Sequence, residues 1–134
     1  MPLVTTNEML KKAQAGHYAV GAFNVENMEM VMAVIKAAEE MNSPVIMQTT
    51  PSTVKYAGLD YYLAMVRTAA ERASVPVAIH LDHGSSFELA MQALRTGYTS
   101  LPPTLPSSAS TLILEGRHAS ATLRVRATFS SKEP

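Results

Sequence analysis

Three short apolar runs interrupt an otherwise mixed sequence in the first hundred positions of the chain. Each is rich in Val, Ile or aromatic side chains and is bounded by Gly, Pro, Ser or polar residues, which is typical of a buried strand. The runs are HYAVGAF at 17–23, SPVIMQTT at 43–50 and VPVAIHL at 75–81. Because they are continuous rather than alternating, they indicate strands covered on both faces, as in a parallel sheet.

The segments around these runs carry apolar side chains every three or four residues, the period of an amphipathic helix. They are 5–16, 28–41, 58–74 and 85–97. Asn27 and the serines before Phe87 mark helix starts, and Gly16 and Gly97 mark helix ends. The nine methionines, several at helical spacing, are predicted to fill the core. The resulting β-α-β-α-β-α order predicts an α/β fold with helices covering a parallel sheet.

The carboxyl end of each predicted strand is marked by a change from apolar to polar residues. Asn24 follows the first strand, Gln48 to Thr50 end the second, and Asp82 with His83 follow the third. In parallel α/β folds, ligands collect at the carboxyl ends of the strands. We therefore expect these side chains to lie on one face of the fold and to form a binding or catalytic site.

Overall composition restricts the classes of protein to which the chain can belong. Eleven basic and eleven acidic side chains give a net charge of zero, so no broad field favours nucleic acid or an anionic membrane. The absence of cysteine excludes disulfides and thiolate metal sites, and leaves His, Asp and Glu as metal ligands. Since the sequence has no apolar leader and no membrane-length apolar window, we expect a cytoplasmic protein.

The character of the sequence changes after about Ser100. Residues 101–134 contain four prolines and ten Ser or Thr, without a sustained helical period. The chain is therefore predicted to divide into an α/β part, 1–100, and an irregular tail, 101–134, that is mostly loop or disordered. Within the tail, TLILEG and TLRVRATF are candidates for paired short strands, and His118 is expected to be exposed to solvent, as is His17.

His80, Asp82 and His83 bring two imidazoles and a carboxylate together where the third apolar run stops. Imidazole nitrogen is a good zinc ligand, and a neighbouring carboxylate can act as an acid or base on a metal-bound substrate. One such cluster does not supply enough ligands for a catalytic zinc site, which usually takes three protein ligands. Spacing alone therefore leaves two interpretations open, a metal ligand and a hydrogen-bonded strand terminus.

Three blocks of the sequence resemble, in one register, the first part of the class II, zinc-dependent ketose-bisphosphate aldolases. They are GHYAVGAFNVEN, SPVIMQTTPSTVKYAG and VPVAIHLDHGSSFELAMQALRTGYTS. The resemblance runs from about Pro2 to Ser100 and implies the first three βα units of a (β/α)8 TIM barrel. It also implies zinc-dependent cleavage of fructose or tagatose 1,6-bisphosphate to dihydroxyacetone phosphate and glyceraldehyde 3-phosphate, and the reverse condensation.

The same resemblance implies roles for individual residues. His83 matches the first zinc ligand of the family, and Asp82 matches the acid and base acting on the C4 hydroxyl of the substrate. Asn24 resembles an asparagine near the substrate, and Thr50 resembles a hydroxyl residue near a substrate phosphate. Two structural interpretations stay open, that Asn24 only fastens a turn and that Thr50 only precedes Pro51. The implied cofactor is zinc, and the implied partners are sugar bisphosphates, triose phosphates and further copies of the chain.

The tail departs from the family pattern. A complete (β/α)8 barrel needs about 250 residues, whereas the family-like sequence stops near Ser100 and LPPTLPSS stands where a fourth apolar strand is expected. A frameshift, a retained intron or an alternative transcript is our hypothesis for this change, and reading the coding DNA from Thr99 to Pro103 in all frames tests it. The alternative function is therefore a truncated, non-catalytic remnant of such an aldolase that binds a partner or misfolds.

Overall fold

Three parallel strands form the centre of the structure, a computed structural model that describes residues 3–102. The elements are α1 (Thr6–Gly16), β1 (Gly21–Asn24), α2 (Met28–Glu40), β2 (Val45–Thr49), α3 (Pro51–Ala57), α4 (Leu59–Arg72), β3 (Val77–Leu81) and α5 (Phe87–Thr96). The strands lie side by side in the order β1-β2-β3, and both pairs are parallel. The predicted α/β order with a parallel sheet is confirmed.

The starts and ends of the helices follow local sequence signals. At the start of α2, the side chain of Asn27 accepts a hydrogen bond of 2.9 Å from the amide three residues on, and Ser86 caps α5 in the same way. Helix α5 ends at Gly97, whose φ of 119° suits a residue without a Cβ. Helix α1 ends at Gly16, as predicted, but the left-handed turn after it is made by His17, with φ 54°.

The two faces of the sheet are covered differently, since successive side chains of a strand point to opposite sides. One face, called the helix face, packs against α2, α4 and α5. Its buried strand residues are Val45, Met47, Val77, Ile79 and Leu81. On the opposite face, called the α1 face, Ile46 and Ala78 pack against Met9 of α1. Apolar contacts on both faces explain why the strands appear in the sequence as continuous apolar runs.

The first predicted strand is wrong in its extent, and helix α3 has no predicted counterpart. The first strand covers only Gly21–Asn24, because its partner β2 begins at Val45, directly opposite Gly21. The segment PSTVKYA, for which no element was predicted, forms the short helix α3. Pro51 stands at the first helical position, where its missing amide is not needed for a helical hydrogen bond.

The prediction that methionines fill the core holds for only part of the set. Met9 and Met47 are buried, but four methionines in or next to α2 are exposed. These are Met28, Met30, Met32 and Met41. The apolar stripe of α2 is therefore wider than the surface that the sheet and α4 cover.

No helix within residues 3–102 is long and apolar enough to cross a membrane. His17 is exposed, as expected. The predictions about the tail, namely the paired strands TLILEG and TLRVRATF and the exposed His118, lie outside the described residues.

Candidate functional site

The parallel register aligns four polar residues across the carboxyl half of the sheet. Asn24 of β1 lies opposite Gln48 of β2, Gln48 lies opposite His80 of β3, and His80 forms a further parallel bridge with Ser100. These four residues, here called the polar row, alternate with the helix-face residues and therefore belong to the α1 face. Hydrogen-bonding groups from all three strands thus meet on one face at the strand ends.

Asp82 and His83 directly follow β3. The backbone of Asp82 is fixed by a 2.9 Å hydrogen bond from its N–H to the carbonyl of Thr49. Its carboxylate Oδ2 lies 3.6 Å from Nε2 of His83, a distance beyond a normal hydrogen bond. The His83 side chain is 82% exposed and that of Asp82 27% exposed, so both reach the space beyond the strand ends.

His83 adopts an unusual backbone conformation. Its φ of 54° lies in the left-handed region, which costs a residue with a Cβ free energy relative to glycine. Such a residue is held in place by its surroundings, here by the backbone hydrogen bond of the preceding Asp82. The imidazole is therefore projected into solvent by the turn itself.

The donor set of the described residues does not by itself fit a zinc ion. No group of three His, Cys, Asp or Glu side chains within residues 3–102 could hold a metal. A catalytic zinc site usually takes three protein ligands, and His83 supplies one exposed imidazole. A zinc site at His83 therefore needs ligands from outside the described part of the chain.

Asn24 ends β1 and is exposed. The turn after it is held by other groups, since the amide of Val25 donates to the carbonyl of Gln48 over 3.0 Å and Asn27 caps α2. Among the described residues, the Asn24 side chain has no hydrogen-bond partner. Its amide is thus open to a ligand, and the contacts give it no part in fastening the turn.

Thr50 has a structural role of its own. Its hydroxyl caps α3 by accepting a hydrogen bond of 3.3 Å from the amide of Thr53, and it also contacts the hydroxyls of Ser52 and Thr53. The Thr53 hydroxyl in turn donates to the carboxylate of Glu26 over 2.9 Å. Thr50 therefore does more than precede Pro51, and a substrate phosphate would share its hydroxyl with this cap.

Sequence reasoning missed two buried hydroxyl contacts beside the site. The Oγ of Ser100 lies 2.7 Å from Nδ1 of His80 and accepts a hydrogen bond from Thr6 of α1. The hydroxyls of Thr49 and Tyr98 lie 3.0 Å apart, and burial raises the pKa of Tyr98 to about 12. Ser100 follows the end of α5 and forms an isolated parallel bridge with His80, and no pattern in the sequence marks this contact.

The chain is similar in sequence to known aldolases. The sequence profile described as "Fructose-bisphosphate aldolase class-II" matches residues 4–102. The chain is 52% identical over 99 residues to the fructose-bisphosphate aldolase of Thermus caldophilus, covering 74% of this chain and 32% of that protein. It is 43% identical over 104 residues to a 6-phospho-5-dehydro-2-deoxy-D-gluconate aldolase of Halalkalibacterium halodurans, covering 75% and 36%.

The structural comparison gives the same family. The YdjI aldolase of Escherichia coli K12 superimposes with a TM-score of 0.68 at 39% identity, over 74% of this chain and 38% of that one. The chain thus spans about a third of the length of the relatives it matches. The profile covers well over half of the 134 residues and bears out the resemblance of the three sequence blocks. The chain therefore belongs to the class II fructose-bisphosphate aldolase family, a family of lyases.

Proposed function

We propose that residues 3–102 supply part of the active site of a zinc-dependent ketose-bisphosphate aldolase. The reaction is the cleavage of fructose or tagatose 1,6-bisphosphate to dihydroxyacetone phosphate and glyceraldehyde 3-phosphate, and its reversal. The observation that carries the proposal is the convergence of Asp82, His83 and the polar row at the strand ends, in a chain of this family. The names of the relatives given above describe aldolases of sugar phosphates, and one of these substrates is fructose bisphosphate.

In this proposal Asp82 takes the proton from the C4 hydroxyl as the C3–C4 bond breaks, and returns it in the reverse direction. The hydrogen bond from the Asp82 amide to the carbonyl of Thr49 fixes the backbone from which the carboxylate extends. Substrate binding therefore has less conformational freedom of this residue to remove. Asn24 offers an amide to the substrate, and Thr50 offers its hydroxyl to a phosphate. His83 is the proposed zinc ligand, with the remaining ligands coming from outside residues 3–102.

We also propose that the sheet is the first three βα units of a (β/α)8 barrel. This is supported by the sequential parallel order of the strands, by the helices that cover one face and by the aldolase neighbours. The bridge between His80 and Ser100 would be the first pairing of the next strand. The family match ends at residue 102, and residues 103–134 lie outside it.

A second candidate function is the non-catalytic remnant, which binds a partner instead of turning over a sugar. The outer edge of β1 favours it, because no other strand within residues 3–102 pairs with this edge and Phe23 is 51% exposed. Beside this edge runs an apolar groove lined in part by Ala37, Met41 and Pro44. An unpaired edge next to an apolar groove suits the addition of another strand from a second chain.

A chimera separates the two candidates. Residues 4–102 replace the matching segment of the Thermus caldophilus aldolase, and triose phosphate release is followed with and without zinc. We expect zinc-dependent cleavage that is lost in Asp82→Asn and kept in Glu40→Gln, a matched change at an exposed carboxylate. A folded chimera without turnover would support the remnant instead. Comparing fructose with tagatose bisphosphate in the same assay shows whether this segment sets the choice between them.

A further inference from the structure

A chain of hydrogen bonds joins α1 to β3 through the side chains of three residues. The hydroxyl of Thr6 donates to Oγ of Ser100 over 3.0 Å, and the same Oγ lies 2.7 Å from Nδ1 of His80. Ser100 is 8% exposed, and its carbonyl accepts a hydrogen bond of 3.2 Å from the amide of Leu81. The position of its hydroxyl is therefore fixed by both backbone and side chains.

The buried hydroxyl of Ser100 determines which nitrogen of His80 carries the proton. Ser100 already accepts from Thr6, so its own O–H needs an acceptor, and Nδ1 of His80 is the acceptor within reach. If Nδ1 carried the proton instead, the Ser100 proton would be left without a partner in a buried place. The proton of the neutral imidazole therefore lies on Nε2.

The imidazole is also kept neutral. Burial lowers the pKa of His80, and the charge of Asp82 opposes this by a smaller amount. Among residues 3–102 no group accepts a hydrogen bond from Nε2. The Nε2–H donor is thus left for a partner from outside these residues, and it belongs to the polar row between Gln48 and Ser100.

We propose that Thr6 and Ser100 are positioning residues that hold His80 with its proton on Nε2, so that His80 donates a hydrogen bond to an oxygen atom of a bound sugar phosphate. The position of the proton on His80 concerns the chain alone. The hydrogen bond from His80 to a ligand rests on the proposed function, because it requires a sugar phosphate at the strand ends. With Asn24 and Gln48 in the same row, His80 then adds a donor with a single fixed direction of hydrogen bonding.

The position of the proton is tested by two-bond proton–nitrogen correlation spectra of the 15N-labelled chain, which distinguish the two neutral forms of histidine. A His80→Gln variant identifies the His80 signals among those of the four histidines. We expect the Nε2–H pattern in the wild type and in Ser100→Thr, which keeps a hydroxyl. We expect its loss, or a mixture of both forms, in Ser100→Ala. An Nδ1–H pattern in the wild type, or a Ser100→Ala spectrum identical to it, overturns the proposal.

The donor role is tested by adding dihydroxyacetone phosphate to the 15N-labelled, zinc-loaded chimera, because the chain alone supplies only part of the proposed active site. The proposal expects the His80 Nε2 resonance to move together with the amides of Asn24 and Thr50. If these amides move and Nε2 stays in place, the ligand binds without His80 and the donor role is wrong, while the proposed function stands. If no resonance moves, the proposed function of the chain is contradicted and the donor role falls with it. The proton position is judged separately by the Ser100 variants.

Discussion

The N–H of Asp82 donates a hydrogen bond of 2.9 Å to the carbonyl of Thr49 and so ties the exit of β3 to the last residue of β2. The contact is made by the backbone, so it survives any replacement of the Asp82 side chain except proline. Variants of Asp82 therefore report on the carboxylate rather than on the path of the chain, which makes them clean tests of chemistry.

Zinc binding by the 134-residue chain is expected to be weak. His83 offers one exposed imidazole, and residues 3–102 hold no group of three donors, so these residues contain no preformed site to offset the cost of ordering the ligands. Competition with a chelator of known affinity measures this. A tight site that binds one zinc per chain and disappears in His83→Ala would contradict the expectation.

Catalysis by the isolated chain is expected to be absent. The described residues supply the candidate acid and base but too few ligands for zinc, and the open β1 edge favours association or partial unfolding. A coupled assay for triose phosphate release with added zinc, on either bisphosphate, should stay at background. Turnover that needs zinc and vanishes in both Asp82→Ala and His83→Ala would mean that other residues or a second copy complete the site.

The left-handed turn at His83 gives a stability test that does not involve metal. Replacing His83 by Gly or by Ala removes the same imidazole, but only Gly adopts a φ of 54° without a steric cost. We expect His83→Gly to be more stable than His83→Ala by about 1 kcal/mol in urea unfolding. Equal stability of the two variants would show that the turn relaxes when the side chain is lost.

The cap role of Thr50 can be separated from a phosphate role. Thr50→Ala removes the acceptor for the amide of Thr53 and should lower the free energy of unfolding by about 1 kcal/mol, whereas Thr50→Ser keeps it. In the chimera, a rise in KM for Thr50→Ala with kcat unchanged indicates a lost contact to bound substrate. If Thr50→Ala unfolds like the wild type, α3 does not depend on this cap.

Alkaline pH should destabilise the fold through Tyr98. Burial raises its pKa from 10.0 to about 12, so the unfolded chain releases the phenol proton at a lower pH than the folded chain does. The contribution of the Tyr98 phenol to the free energy of unfolding is complete below pH 10.0 and is lost as pH rises towards about 12. Urea unfolding across this range should show a smaller loss in Tyr98→Phe. Burial also raises the pKa of Tyr62, so some loss of stability should remain in Tyr98→Phe. An unchanged slope in Tyr98→Phe would contradict this assignment.

Much of the fold could be predicted from local sequence, because local signals determine its elements. Asn27, Ser86 and Gly97 mark helix boundaries through their own side chains or backbone freedom. Helix α3 was missed because seven residues are too few to show a helical period. The length of β1 was missed because it depends on where β2 begins, which no signal within β1 encodes.

The candidate site could be predicted only in part. The rule that ligands bind at the carboxyl ends of parallel strands identified Asn24, Thr50, Asp82 and His83 as candidates. Their chemical roles came from the family resemblance. The left-handed turn at His83 and the backbone tether of Asp82 depend on the folded loop. The contact between Thr6 and Ser100 joins residues 94 positions apart, and no pattern in the sequence relates them.

The polar row has a consequence for how the sequence tolerates length changes. Side chains of a strand alternate between faces, so a slip of β2 by one residue would place Met47 and Thr49 on the α1 face and turn Gln48 into the apolar core. The buried contact of Thr49 with Tyr98 would break in the same step. One inserted or deleted residue in β2 would thus be more damaging to the row than replacement of any of its members, because the row is a property of strand alignment.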